Sequence, residues 1–297
     1  MAGGIGYGAV MPGSTPAVAV VTDSTASLPA DLARQLTVVP LTVVVNGVQG
    51  RETVDISSEE VAQALNSRRT AVTTSRPAPE EFAVVYRRLF DEGAASVLSI
   101  HLWAKFSGTY DAAVLAAAEF DGRVEVIDSH ATAMGLGFPA LAAATAARAN
   151  EDLHLVRAAA ASAIERTTTL FYVDTLEFLR RGGRIGAASA LLGTALSVKP
   201  ILHTTDQGVV VREKVRTASR ALARLADLAE EAAGDATVDV AVHHLVAPER
   251  ADALAGTLKD RLGGRLRAAY LTEVGPVIGA HVGPGMVAVV VHRVDGA

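Results

Sequence analysis

Two short stretches put hydroxyl side chains where a strand-like run hands over to a helix-like one. They are Ser107-Gly108-Thr109, ahead of an alanine-rich run, and Thr74-Ser75, ahead of Pro77 and Pro79. A serine at such a junction has three possible uses: it caps the helix, acts as a nucleophile, or helps seat an anion. A nucleophile needs a base and a third group that orients the base. The Gly-x-Ser-x-Gly elbow is absent. Ser107 and Ser129 stand at suitable junctions, but His101 and His130, close by in sequence, have no recognisable partner. An anion asks for less: unpaired helix N–H groups, the positive dipole end and a few hydroxyl donors. Ser107, Gly108 and Thr109 offer these, with Thr74 and Ser75 adding more. Capping and anion seating are compatible uses of one junction.

Other motifs carry charge or an imidazole. Leu179–Gly186 reads LRRGGRIG, with three arginines and three glycines. It suits a helix C-terminus, or an arginine, Arg184, presented on a glycine-rich loop toward a phosphate or an acidic partner. Arg212–Arg216 (REKVR) is a second basic cluster. GPVIGAHVGPG, from Gly275 to Gly285, spaces four glycines and two prolines around the single His281. That much backbone punctuation suggests a fixed histidine and a site. Metal chemistry has weaker support. His243 and His244 are neighbours on a predicted strand and face opposite sides. Asp23 and Asp128 are flanked mostly by hydroxyls, which are weak ligands. No Gly-Lys pair exists for a phosphate-binding loop, and no strand precedes the glycines of Gly3–Val10.

The elements that must position these residues alternate. Strand-like runs at Ala17–Val21, Val38–Val45, Ser96–Ile100 and Arg123–Ile127 precede helix patterns that include Pro29–Leu36, Ser57–Asn66 and Pro79–Asp91. Ser57 with Glu60 makes a capping box, and Pro79 suits a first helical turn. Strand-then-helix repetition predicts a largely parallel sheet, whose ligands bind beyond the carboxyl ends of its strands. Asp23-Ser24, Ser107-Gly108-Thr109 and Asp128-Ser129 then share one edge, with Thr74-Ser75 beside them. The second half is expected to form a mixed sheet. Its predicted strands are Leu170–Asp174, Val198–His203, Val209–Val215, Val238–Leu245, Leu266–Thr272 and Met286–Val291. A helix at Leu153–Arg166 closes the first half; between the later strands fall helices at Ala187–Leu196, Thr217–Ala233, Pro248–Leu262 and a short one at Pro276–His281, and a turn at Asp206–Gly208.

At ~100–200 residues per domain, 297 residues suggest two. The expected division is a loose tail at 1–16, an N-terminal α/β domain at 17–166 and a C-terminal α/β domain at 167–297. Half of the residues are hydrophobic but only 4% aromatic, so the core is aliphatic, as buried parallel strands require. The net charge of −5 and the lack of a long basic run argue against nucleic acid. The absence of cysteine rules out disulfides, thiolate catalysis and Cys-ligated zinc, and fits a cytoplasmic protein. The tail holds no Lys or Arg, unlike a secretory signal, and Met11 is an alternative start. The longest uncharged run, Ala131–Ala147, is broken by Pro139, so no membrane span is expected.

Taken together, the ordered segments VTDSTASLP, TSRPAPEEF, FSGTYDAA, VIDSHATAMGLG, TLEFLRRGGRIG, VKPIL, GVVVREKVR, VAVHH and GPVIGAHVGPG resemble the DegV family of bacterial fatty acid-binding proteins, from about Val18 to Val291. The resemblance implies a two-domain DegV-like α/β fold with one long-chain fatty acid in a tunnel between the domains, and no cofactor. It implies that Thr74 and Ser107 grip the carboxylate, with Gly108, Thr109 and His281 near the head group. Arg184 and Arg216 would serve engagement of a fatty acid kinase, which converts the bound acid to an acyl phosphate for phospholipid synthesis. Asp23, Ser24, Ser75, Asp128, Ser129 and Gly279 are further candidates for the pocket wall. The carrier itself would be no enzyme. The competing reading is a serine-dependent hydrolase or acyltransferase using Ser107 and His281. The chain departs from the family pattern in Arg76 and in the Trp103 and Phe106 of HLWAKF, which points to altered acyl selection or a changed tunnel mouth.

Overall fold

The computed structural model describes residues 17–67, 70–191, 198–205 and 207–294. The expected tail, Asp206 in the turn, and the end of the Ala187–Leu196 helix lie outside the described residues. In the first half the strands are β1 (Val18–Asp23), β2 (Thr37–Val39), β3 (Thr42–Val45), β4 (Val48–Arg51), β5 (Val72–Ser75), β6 (Ser96–His101) and β7 (Val124–Asp128). A four-stranded sheet runs in the order β2-β1-β6-β7, and every pairing in it is parallel. All six residues of β1 are buried, because helices cover both faces of the sheet. Val21 and Val97 point toward Phe82, Tyr86 and Ala112 of the helices Pro79–Asp91 and Thr109–Ala117. Val20 and Leu98, one residue out of phase, meet Leu136 and Ala140 of the helix Met134–Arg148.

The expected strand Val38–Val45 is two strands. Pro40, which has no N–H to donate, falls at the break. β2 stays with the parallel sheet, whereas β3 pairs antiparallel with β4 and β5 in a separate three-stranded sheet. Thr74 and Ser75 therefore sit on this small sheet and not on the parallel one. Ser57 and Glu60 form the expected capping box on the helix Ser58–Asn66. Pro79 opens its helix at the first turn.

The second half contributes β8 (Thr167–Tyr172), β9 (Lys199–Thr205), β10 (Gly208–Val215), β11 (Val238–His244), β12 (Leu266–Glu273) and β13 (Val287–Arg293). They form a mixed sheet ordered β10-β9-β8-β13-β11-β12, parallel only between β11 and β12. The helices Ala218–Ala233 and Pro248–Leu262 cover one face, packing Leu225, Leu228 and Leu258 on Leu170, Tyr172 and Val289. Thr217 caps the first of them through the Arg220 N–H. The other face carries Leu202, Val209 and Ala288 toward Ala133, Leu179 and Ile278. Over Gly186–Leu191 the expected α-helix is a 3₁₀ helix. Among the described residues no helix is long and apolar enough to cross a membrane.

Candidate functional site

Between the parallel sheet, the small sheet and the free face of the mixed sheet lies a cavity of about 350 Å³. That volume falls within the ~300–1,000 Å³ of small-molecule sites. Its apolar wall includes Leu41, Leu102, Phe106, Phe171, Ile278 and Met286, from both halves of the chain. The polar residues on it include Thr74 and Ser75 from β5, Ser107 and Gly108 before a helix, Arg184 from the glycine-rich loop and His281 from the helix Pro276–Val282. Sequence positions more than 200 apart thus meet on one wall.

Thr74 Oγ1 lies 2.9 Å from His281 Nε2. Burial holds the imidazole neutral, with its pKa lowered to about 4, and the Arg184 charge pushes the same way. His281 Nδ1 is buried without a partner and faces Gly182, where a Cβ would come within 2.2 Å of it. A neutral imidazole has one N–H to place. On Nδ1 that donor would be orphaned, whereas on Nε2 it donates to Thr74 Oγ1. The Thr74 hydroxyl proton is then free to point at an anion in the cavity. Ser107 Oγ sits 2.8 Å from Thr109 Oγ1. Arg184 donates from Nε to the Phe106 carbonyl at 2.7 Å and from a terminal nitrogen to the Gly182 carbonyl at 2.6 Å. It ties the histidine's support to the segment that presents Ser107.

The helix after Ser107 begins at Thr109, with Gly108 as N-cap and no side-chain cap. Ser107 is therefore not the cap expected of it. Gly108 is also where Arg76 packs: a Cβ there would meet the Arg76 Cδ at 2.9 Å. Trp103 is off the cavity. It backs Phe106 edge-on, ring centroids 5.0 Å apart, and lines a second, more polar pocket with Ser129 and His130.

Several sequence-nominated residues are placed away from the cavity wall. Asp23 is fully buried, accepting from Thr25, His101 and Leu102. Ser24 is turned toward Glu52 and the Leu41 N–H. Asp128 accepts from the backbone of Ala104 and His130. Gly279 packs on Leu245, and Thr109 is buried behind Ser107. Arg216 is exposed just beyond β10. Sheet-edge position predicted Asp23, Ser24 and Asp128, but internal hydrogen bonds hold their side chains away from the cavity. Residues the sequence reading did not single out, Thr25, Thr132, Thr169 and Thr204, do line the cavity. Alternation along β8 puts Thr169 and Phe171 on one face, a signal available in the sequence.

Among the described residues the site has no assembled nucleophile. His281 Nε2 is engaged by Thr74, and no hydrogen bond joins it to Ser107. A Ser-His-Asp alignment does exist elsewhere. Ser99 Oγ is 2.7 Å from His101 Nε2, and His101 Nδ1 is 3.0 Å from Asp23 Oδ2. All three side chains are completely buried and Tyr86 donates to Ser99, so no substrate reaches that serine. Among the described residues no group of His, Asp and Glu is arranged to hold a metal ion.

Fold and cavity together define an α/β protein built around a largely apolar cavity with hydroxyl, imidazole and arginine side chains on its wall. A family model described as "Uncharacterised protein, DegV family" matches residues 17–294, and the chain belongs to the DegV family. A DegV domain-containing protein of Streptomyces coelicolor is 53% identical over 276 residues, 92% of this chain and 98% of its own. The solved structure of a fatty acid-binding DegV family protein from Thermus thermophilus matches with a TM-score of 0.87 at 35% identity, over 93% of this chain and 99% of its own. DegV of Bacillus subtilis, a fatty acid binding protein, matches with a TM-score of 0.85 at 30% identity, over 95% and 100% of the two chains.

Proposed function

We propose that this chain binds one long-chain fatty acid in the cavity and presents its carboxylate to a partner kinase, which forms an acyl phosphate that feeds phospholipid synthesis. One observation carries the binding half. A largely apolar cavity is lined by Thr74, Ser107, Arg184 and His281, which offer donors to an anion, and no hydrogen bond joins Ser107 to His281 as nucleophile to base. Burying an acyl chain contributes ~0.8 kcal/mol per CH₂, so affinity comes from the apolar wall and the polar cluster sets orientation. Thr74 and Ser107 donate to the carboxylate, and Arg184 offsets its charge. Solved relatives named as fatty acid-binding proteins support the ligand class.

The presentation half follows from the same chemistry. The chain has hydroxyls and an arginine at the head group but no phosphate-binding loop, so nucleotide chemistry falls to another protein. Arg184, with Arg216 on the exposed surface, is assigned to engaging that kinase. In this reading 17–166 and 167–297 are the two domains that close on the acyl chain, and the complex works in the cytoplasm.

Denaturing extraction of the purified protein, followed by lipid mass spectrometry, tests the reading. A long-chain fatty acid is expected in the extract, either carried through purification or taken up from an added mixture in preference to short acids. Protein that neither carries nor takes up such an acid refutes it.

A further inference from the structure

Glu52 follows β4 and is completely buried. Among the described residues no Lys, Arg or His forms an ion pair with it. An unpaired carboxyl in such a place is costly, and burial pushes it up to about 7. Its hydrogen bonds show what offsets that cost. Glu52 Oε1 accepts the N–H of Val277 at 2.9 Å, from 225 positions further along the chain. The other carboxyl oxygen accepts the Ser24 hydroxyl, and Ser24 Oγ accepts the Leu41 N–H at 2.9 Å. The Glu52 N–H donates to the Leu41 carbonyl at 2.8 Å. Leu41 and Val277 both line the cavity.

Val277 lies in the first turn of the seven-residue helix that carries His281. Gly275, the N-cap of that helix, offers no side chain to cap it. A Cβ at Gly275 would lie 2.2 Å from Glu52 Oε1, so glycine is what lets the carboxyl reach the helix start. Nearby, Ser58 Oγ donates to the Val274 carbonyl at 2.7 Å. The segment leading into the helix is thus fastened to the first half of the chain, where Ser27 Oγ also accepts the Gly275 N–H at 3.5 Å and Val277 and Ala280 pack with Leu41 and Val61, and Glu52 takes the first free N–H of the helix itself.

We infer that Glu52 is a positioning residue for the ligand site: it locks the helix bearing His281 against the wall built from Leu41, and so sets the Thr74–His281 pair. Glu52 does not line the cavity and acts only through that helix. The inference rests on the proposed function only where an acyl ligand serves as the reporter.

Two readouts on the full chain test it: the ¹⁵N and ¹H signals of the His281 ring, and the affinity for palmitate measured by titration. In Glu52→Ala the His281 Nε2–H signal is expected to lose its hydrogen-bonded shift, and palmitate affinity to fall roughly tenfold. Glu52→Gln can accept the Val277 N–H and is expected to restore both. Gly275→Ala, at an ordinary extended φ of −66°, displaces the carboxyl without removing it and should mimic Glu52→Ala. In the double variant the new Cβ meets no carboxyl, so Gly275→Ala should add nothing. The inference is overturned if Glu52→Ala leaves the His281 signal unchanged, if Glu52→Gln falls as far as Glu52→Ala, or if Gly275→Ala costs the same with Glu52 absent. If wild-type protein takes up no palmitate or other long-chain acid, the carrier reading fails, and the His281 signals alone decide the role of Glu52.

Discussion

Gly182→Ala isolates the contribution of the Thr74–His281 pair. Gly182 has φ −74° and ψ −10°, a helical conformation that alanine adopts without strain. The new Cβ would stand 2.2 Å from His281 Nδ1, against an ordinary contact of 3.4 Å or more. The ring must give way by 3.4 − 2.2 = 1.2 Å. It cannot slide toward Thr74, because Nε2 is already 2.9 Å from Oγ1. The ring therefore swings aside and the hydrogen bond is lost. Such a bond contributes about 1 kcal/mol, or ~1.5–3 kcal/mol where a charged group depends on it. Affinity for a long-chain acid should fall between about fivefold and a hundredfold in a calorimetric titration. Stability should fall by up to ~1–3 kcal/mol as the buried ring is displaced, offset in part by the roughly 0.5–1 kcal/mol that alanine gains over glycine in helical backbone. Gly183→Ala is the control, in which stability falls without any displacement of His281. Gly183 has φ +70° with open space around the missing Cβ, so the variant should lose about 1–2 kcal/mol of stability and keep its affinity. Equal affinities in wild type and Gly182→Ala, or an equal loss in Gly183→Ala, would refute the reasoning.

Further outcomes follow from the same geometry. Thr74→Val keeps the shape and removes the hydroxyl, and should weaken acyl binding about tenfold; Ser107→Ala should act in the same direction, both read by titration. Arg184→Ala should lower acyl-phosphate formation with kinase and ATP far more than it lowers affinity, and the reverse order would contradict the division of labour. Acid should unfold the protein in part through His243, whose Nε2 accepts the Met134 N–H while Nδ1–H donates to Thr272. Burial lowers its pKa to about 4. The unfolded value is higher, ~6.5, so its stability contribution is complete above that pH and lost as pH falls toward 4, by about 3 kcal/mol at the limit. Thermal melts from pH 7.5 to 4.5 should show this slope, and His243→Gln should reduce it; equal slopes would count against it.

Local signals carried much of the fold. Ser57 with Glu60, Pro79 and Thr217 each satisfy orphan N–H groups or fit a first turn, so these helix starts depend on neighbouring residues alone. The small sheet was less legible, because Pro40 divides an unbroken apolar run and the partner strand β5 is separated from β3 by a whole helix. For the site, motif spacing pointed at Thr74, Ser107, Arg184 and His281, and the fold brings them to one cavity wall. Motif position says nothing of side-chain direction, which is why Asp23, Ser24 and Asp128 turned out to be held by internal hydrogen bonds. Glu52 gave no signal at all: a glutamate in RETVDIS reads as a surface residue, and only the tertiary fold shows that it meets Val277.

The same comparison separates binding from catalysis. A serine enzyme needs nucleophile, base and substrate access in one place. Here they are divided. Ser99, His101 and Asp23 have the alignment, but lie in the core behind Tyr86. Ser107 and His281 have access, but each is already engaged with a threonine, Thr109 or Thr74. Bringing Ser107 to His281 would cost the bond to Thr74 and leave two hydroxyls to find new partners. Opening the core to Ser99 would expose the side chains that hold β1 to β6. A carboxylate needs neither change. It requires donors already in place, and a Thr74 hydroxyl relieved of its own proton acceptor by His281 is such a donor.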